Sequence, residues 1–182
     1  MQFRETALKG VLLLEPVIHR DPRGLLFESF RLDLAEKYRL PAFVQENESV
    51  SVRHTIRGLH YQLEKPQAKL VRVLSGSIYD VVVDIRRSSP TFGQWLGEFL
   101  TAENRLQLFV PAGFAHGFCV TSESAQVLYK CSDYYSGAAD QRGIAWNDPN
   151  LAIKWPTDSP LVSEKDGALF SLQQQPVELL PP

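Results

Sequence analysis

The chain has 182 residues and a mass of 20.6 kDa, with 19 Lys+Arg against 21 Asp+Glu for a formal net charge of -2. At 44% hydrophobic and 10% aromatic it buries a substantial core, which excludes a disordered chain, and its near-neutral charge excludes a nucleic-acid binder that works through a strong positive field. The longest charge-free run, residues 106–122, is interrupted by Pro111, Gly113 and Gly117 and is too short for a membrane span.

Apolar, β-branched runs predict strands over residues 10–17 and 25–30, followed by one helix over 32–38 in which Leu32, Ala35 and Tyr38 share a face. A strand over 43–52 comes next. Residues 69–74 and 78–85 flank Ser75-Gly76-Ser77 and read as a hairpin. Further strands are predicted over 95–100, 106–110, 114–120 and 125–134. Strands at this spacing, without repeats or linkers, predict one all-β domain over residues 1–182, a sandwich or barrel with few helices. Arg4, Glu5 and Lys9 crowd the small apolar patch at 11–14, so no signal-peptide core is present and a cytoplasmic location is expected. Cys119 and Cys131 lie in strand-like apolar runs and are expected as buried free thiols.

Period-two alternation sorts the polar residues by face. Gln45, Asn47, Ser49 and Ser51 fall on one side of their strand, and Glu46, Glu48, Val50 and Val52 on the other. Solvent exposure of the polar side is one explanation. However, Lys69 shares a side with Val71 and Val73, and Tyr129 with Val127 and Cys131, so polar groups point where apolar ones also point. A polar-lined cavity within a β-barrel accounts for both.

Four residues carry candidate chemistry: His60 in Arg57-Gly-Leu-His-Tyr-Gln62, His116 in Pro111-Ala-Gly-Phe-Ala-His-Gly-Phe118, Lys69, and Asp166 in Ser163-Glu-Lys-Asp166. Each histidine alone also fits a structural role with a satisfied hydrogen bond. The two histidine segments resemble the two motifs of the cupin superfamily, small jelly-roll barrels that often hold a metal through His-x-His, Glu and a further His. Here Gln62 replaces the second His, and Lys69 stands seven residues before Gly76, where the Glu would be. An ammonium repels a divalent cation, so a metal site is not expected. A metal-free set of His, Lys, Tyr and Asp suits proton abstraction beside a carbonyl: His60 as base, Asp166 holding the imidazolium, Lys69 facing the enolate oxygen and Tyr129 returning a proton. Tyr129 also reads as a core aromatic.

Almost end to end, the sequence resembles the dTDP-4-dehydrorhamnose 3,5-epimerase family. The matching stretches are Asp21-Pro-Arg-Gly24 with Glu28-Ser-Phe30, Gln45-Glu-Asn-Glu-Ser-Val-Ser51, Arg57-Gly-Leu-His-Tyr-Gln62 and Lys69-Leu-Val-Arg-Val73. They continue through Asp80-Val-Val-Val-Asp-Ile-Arg86, Ser89-Pro-Thr-Phe-Gly-Gln-Trp95, the segment around His116, Tyr129-Lys130, Gly143-Ile-Ala-Trp-Asn-Asp-Pro149, Trp155-Pro156 and Ser163-Glu-Lys-Asp166. The resemblance implies a homodimeric jelly roll without metal or cofactor that inverts C3 and C5 of a thymidine-diphosphate 4-keto-6-deoxyhexose. By that likeness His60 is the base, Asp166 its partner, Lys69 the enolate stabiliser and Tyr129 the acid, with His116 and Asp80 completing the polar floor. Arg23, Glu28, Gln45, Asn47 and Arg57 hold the nucleotide, Arg23 by reaching into the neighbouring subunit's site. Tyr135 stacks on the base or gates the sugar. Lys165 is a further phosphate contact or a solvated surface lysine.

Three positions depart from the family pattern. Leu26 stands where a Phe is usual, with Phe27 displaced by one; the loop from Gln62 to Lys69 is one residue short; and Asp140 takes the place of the acidic residue expected before Gly143. None touches the four chemical residues. Two other readings stay open: a relative inverting only one centre in a secondary-metabolite deoxysugar pathway, and a non-catalytic sugar-binding cupin.

Overall fold

The computed structural model describes residues 1–137 and 140–182. Its strands are β1 (Gln2–Glu5), β2 (Leu12–Glu15), β3 (Ile18–Asp21), β4 (Gly24–Phe27), β5 (Gln45–Val52), β6 (Ile56–Gln62), β7 (Lys69–Ser75), β8 (Ser77–Asp84), β9 (Trp95–Thr101), β10 (Gln107–Val110), β11 (Phe114–Val120), β12 (Ser124–Cys131) and β13 (Gln141–Gly143). Two short helices, α1 (Leu32–Lys37) and α2 (Glu164–Gly167), accompany them. One sheet runs β1-β2-β10-β7-β12-β5 and the other β13-β6-β11-β8-β9, while β3 and β4 form a separate hairpin. This is the expected jelly roll, with its two sheets face to face and not closed into a continuous barrel.

The structure corrects the expected hairpin at Ser75-Gly76-Ser77. β7 belongs to the six-stranded sheet and β8 to the five-stranded one, so the chain turns a corner there from one sheet to the other. Gly76 has φ of 78°, and a Cβ on it would lie 2.1 Å from the Ser124 carbonyl oxygen. Only glycine fits that corner. The predicted helix ends at Lys37 with Tyr38 as its cap. Its shared face is reduced to Ala35, which is buried, and Tyr38, which stacks on Phe3 at 4.0 Å; Leu32 turns outward. The β1, β3 and β13 pairings carry too few alternating apolar residues to be foreseen.

Between the sheets, Leu13, Val71, Val73, Ile78, Val82, Leu100, Leu108, Phe114, Phe118 and Val127 form one apolar core. A second cluster, including Leu59, Val81, Val83, Ala115, Leu151, Leu172 and Leu180, lies where the carboxyl-terminal segment covers the outer face of the five-stranded sheet. Strands β8 and β11 are therefore buried on both faces, as their largely apolar runs require, with Asp80, Asp84 and His116 the buried polar exceptions. Cys119 and Cys131 are both buried free thiols.

Strand β5 is the exception that makes room for a site. Its inner face is Gln45, Asn47, Ser49 and Ser51, while Val50 and Val52 point outward at 68% and 60% exposure. An edge strand with no apolar side chain to insert leaves its end of the sandwich unfilled. The polar face thus looks inward, not to solvent.

Candidate functional site

That end of the sandwich encloses a cavity of about 570 Å³. From the five-stranded sheet, β6 and β11 pair so that His60 and His116 are Cα partners. A bulge follows, after which Phe118 pairs with Arg57. The two backbones nearly touch there: a Cβ on Gly58 would lie 2.5 Å from Gly117 Cα, and one on Gly117 would lie 2.6 Å from the Arg57 carbonyl oxygen. The glycines of both histidine motifs are needed for this approach, and it sets His60, Arg57 and His116 around one cavity. From the facing sheet, β7 contributes Lys69 and β12 contributes Tyr129.

Asp166 arrives from α2. Its backbone N–H donates to the Ser163 hydroxyl oxygen at 3.1 Å, the N-cap of that single turn. Its Oδ1 lies 2.6 Å from His60 Nε2, and its Oδ2 accepts from the Gly58 N–H at 3.3 Å. Burial would raise the Asp166 pKa, but the hydrogen bond and charge of His60, the Gly58 N–H and nearby Lys165 together lower it below the ordinary carboxylate value. An ionised Asp166 accepts a hydrogen bond from Nε2–H, which leaves the lone pair of neutral His60 on Nδ1.

Burial pushes the Lys69 ammonium below its usual pKa, while Cys131 and Asp80 pull it back up. Burial also raises the Tyr129 phenol, helped by Cys131 and opposed by a hydrogen bond with Asn47 and the charge of Arg57. Tyr129 therefore keeps its proton at neutral pH. On the floor, His116 Nε2 lies 2.9 Å and 3.1 Å from the two oxygens of fully buried Asp80. A single carboxylate holds each cavity histidine. Among the described residues, no three His, Cys, Asp or Glu side chains converge as a metal site would need.

The structure brings His60, Asp166, Lys69, Tyr129, Arg57, His116 and Lys165 to this cavity. Gln45, Asn47 and Tyr135 line an adjoining chamber of about 100 Å³ that shares His60, Lys69 and Tyr129 with it. Tyr135 spans that chamber, its N–H donating to Gln45 Oε1 at 2.9 Å and its hydroxyl to Gln141 Oε1 at 3.1 Å. Three expected residues lie elsewhere. Arg23 sits at the turn of the β3–β4 hairpin, 90% exposed and paired with Asp21 at 2.6 Å. Glu28 faces Arg31 at 3.5 Å. Asp140 accepts from the N–H groups of Leu63, Glu64 and Lys65 and from the Ser136 hydroxyl, so it anchors the short loop before Lys69. Leu26, one of the departures, is 73% exposed on the same hairpin as Arg23.

Sequence reasoning did not single out Thr55, Phe118, Gln141 or Ser163 as cavity residues, nor Ser49 beyond its place on the polar face of β5. For Ser49 the alternation was the available signal. Gln141 and Ser163 belong to segments whose packing on β6 no local pattern reveals. Among the described residues no helix is long and apolar enough to cross a membrane.

The sequence model of the dTDP-4-dehydrorhamnose 3,5-epimerase family matches residues 5–174. A dTDP-4-dehydrorhamnose 3,5-epimerase of Pseudomonas aeruginosa is 50% identical over 169 residues, covering 91% of this chain and 93% of that one. A dTDP-4-dehydrorhamnose 3-epimerase of Streptomyces niveus is 39% identical, covering 100% of this chain and 89% of its own. Among solved structures, a dTDP-6-deoxy-D-glucose-3,5-epimerase from Legionella pneumophila in complex with dTDP-4-keto-L-rhamnose superposes with a TM-score of 0.94 at 44% identity, covering 99% and 97% of the two chains.

Proposed function

The chain belongs to the dTDP-4-dehydrorhamnose 3,5-epimerase family and is an isomerase; from that premise we propose how its own residues divide the work. The substrate is a thymidine-diphosphate 4-keto-6-deoxyhexose, whose ketone acidifies both C3 and C5. His60 Nδ1 takes a proton from one of these carbons. Asp166, ionised and 2.6 Å from the other ring nitrogen, stabilises the imidazolium that results. Lys69 faces the C4 oxygen as it becomes an enolate, and Tyr129 returns a proton from the opposite side. The same set acts at each carbon in turn. The observation that carries this reading is the His60–Asp166 pair on one wall of a cavity whose facing wall presents Lys69 and Tyr129.

Incubation of the 4-keto sugar nucleotide with the protein in heavy water tests it. Deuterium is expected at both C3 and C5, and label at a single centre would assign the chain to the one-centre epimerases instead. Binding without any exchange would leave a sugar-binding protein.

We further propose that Gln45, Asn47 and Arg57 hold the nucleotide, with the Arg57 guanidinium suited to the pyrophosphate. Arg23 and Glu28 serve the site of a second copy of the chain. What supports this is the hairpin itself, which carries exposed Leu25 and Leu26 beside an exposed Arg23 that does not line its own cavity. A dimeric mass in solution is expected, with Arg23→Ala weakening nucleotide affinity about tenfold, the scale of one charge-assisted hydrogen bond. A monomeric mass with unchanged affinity would remove the cross-subunit role.

A further inference from the structure

On the inner face of β5, three of the four polar side chains have partners. The Gln45 amide donates to Asn47 Oδ1 at 3.0 Å, Asn47 Nδ2 reaches Cys131 Sγ at 3.7 Å, and Arg57 Nε donates to Ser51 Oγ at 2.9 Å. Ser49 differs. Its Oγ is shielded from solvent and has no hydrogen-bond partner in the protein. A buried hydroxyl in that state costs the protein its desolvation with nothing in return. Alanine would fill the same position without that cost.

Ser49 also lines the main cavity. It is the Cα partner of Val127, two residues along β12 from the pairing of Asn47 with Tyr129. Its place on the wall is therefore between the proton-returning phenol and the Ser51–Arg57 contact. One torsion, χ1, sets the direction of Oγ, and its staggered wells aim the hydroxyl in different directions. We propose that Ser49 is a further substrate-contact residue, its hydroxyl exchanging a hydrogen bond with a hydroxyl of the hexose ring. A neutral group that both donates and accepts matches a sugar hydroxyl, which does the same; phosphate oxygens only accept and are matched by the cavity's cations. The inference rests on the reading that this cavity takes a nucleotide sugar.

Calorimetric titration of wild type and Ser49→Ala with thymidine-diphosphate glucose, whose ring has no ketone and does not react, and with thymidine diphosphate alone, tests it. The variant is expected to bind the glucose nucleotide about 2- to 12-fold more weakly, the worth of one neutral hydrogen bond, and the bare nucleotide equally well. Its Tm is expected to match or exceed that of wild type, because no protein contact is lost. Ser51→Ala, which strips Arg57 of an acceptor, should lower Tm. Unchanged affinity for both ligands, an equal loss for both, or a lowered Tm in Ser49→Ala would overturn the proposal. Wild-type exchange in heavy water separates the two levels: if it occurs while Ser49→Ala binds normally, only the role of Ser49 fails.

Discussion

His60→Ala is expected to abolish solvent exchange at both C3 and C5, with a loss of about 10²- to 10⁴-fold in turnover, the usual scale of a positioned general base. Both positions must fail together, because in the proposed reaction one imidazole serves both carbons. Tyr129→Phe is the informative contrast. It removes the acid but leaves His60, Asp166 and Lys69 in place, so proton abstraction and its reversal by the same histidine continue. Deuterium should still enter while net inversion falls. Proton NMR of the sugar ring after timed incubation reads exchange and configuration in one spectrum. Equal and mild losses for the two variants would contradict both roles. A normal Tm for His60→Ala would show that the lost activity is chemical, although the substitution leaves the buried Asp166 carboxylate with only the Gly58 N–H, the nearby Lys165 charge and solvent to stabilise it.

Lys69→Met should lower turnover by about 10²- to 10³-fold, the loss seen when one preorganised oxyanion stabiliser is removed. The effect belongs to the transition state, so KM should change much less than kcat. Stability should move the other way. Burial lowers the Lys69 pKa from its ordinary 10.5, so the unfolded chain binds this proton more tightly than the folded one. The resulting penalty is fully present below the folded pKa and fades as pH rises toward 10.5. Methionine has similar length and no charge. The variant should therefore melt higher than wild type at neutral pH, with the gain shrinking as pH approaches that of free lysine. A thermal-shift series across pH checks this, and a variant that is both less active and less stable would show that Lys69 is chiefly a structural cation. In the proposed reaction, an enolate oxygen developing beside Lys69 favours its charged form. The proton is held most firmly when it is needed.

Much of this site was legible in the residues. Alternation alone placed Lys69 with Val71 and Val73, and Tyr129 with Val127, and all of them point between the sheets. It also grouped Gln45, Asn47, Ser49 and Ser51, although alternation could not say whether that face was wet because it was outside or because it lined a cavity. The pairing of His60 with Asp166 was invisible to any local pattern, since 106 residues separate them and α2 is a single turn. The residue types suggested that pair and the resemblance to a family repeated it; the fold brings it together. The corner at Gly76 was misread for a related reason: Ser-Gly-Ser turns the chain equally well into a hairpin or across to the facing sheet. What decides is the Ser124 carbonyl against the glycine, a contact made by β12. Asp140 shows the limit of reading acids as ligand contacts, for its oxygens are committed to backbone N–H groups.

The inverted face of β5 has an evolutionary consequence. In most of this sandwich, a side chain that changes must still pack, and packing limits what selection can try. The wall formed by Gln45, Asn47, Ser49 and Ser51 lies at an edge and gives the apolar core nothing. A change there costs the apolar core nothing, so what constrains these four side chains is their polar contacts, such as that of Ser51 with Arg57, and the ligand they face, while the scaffold stays the same. A family in which one architecture is shared by two-centre and one-centre epimerases is the outcome such a separation permits.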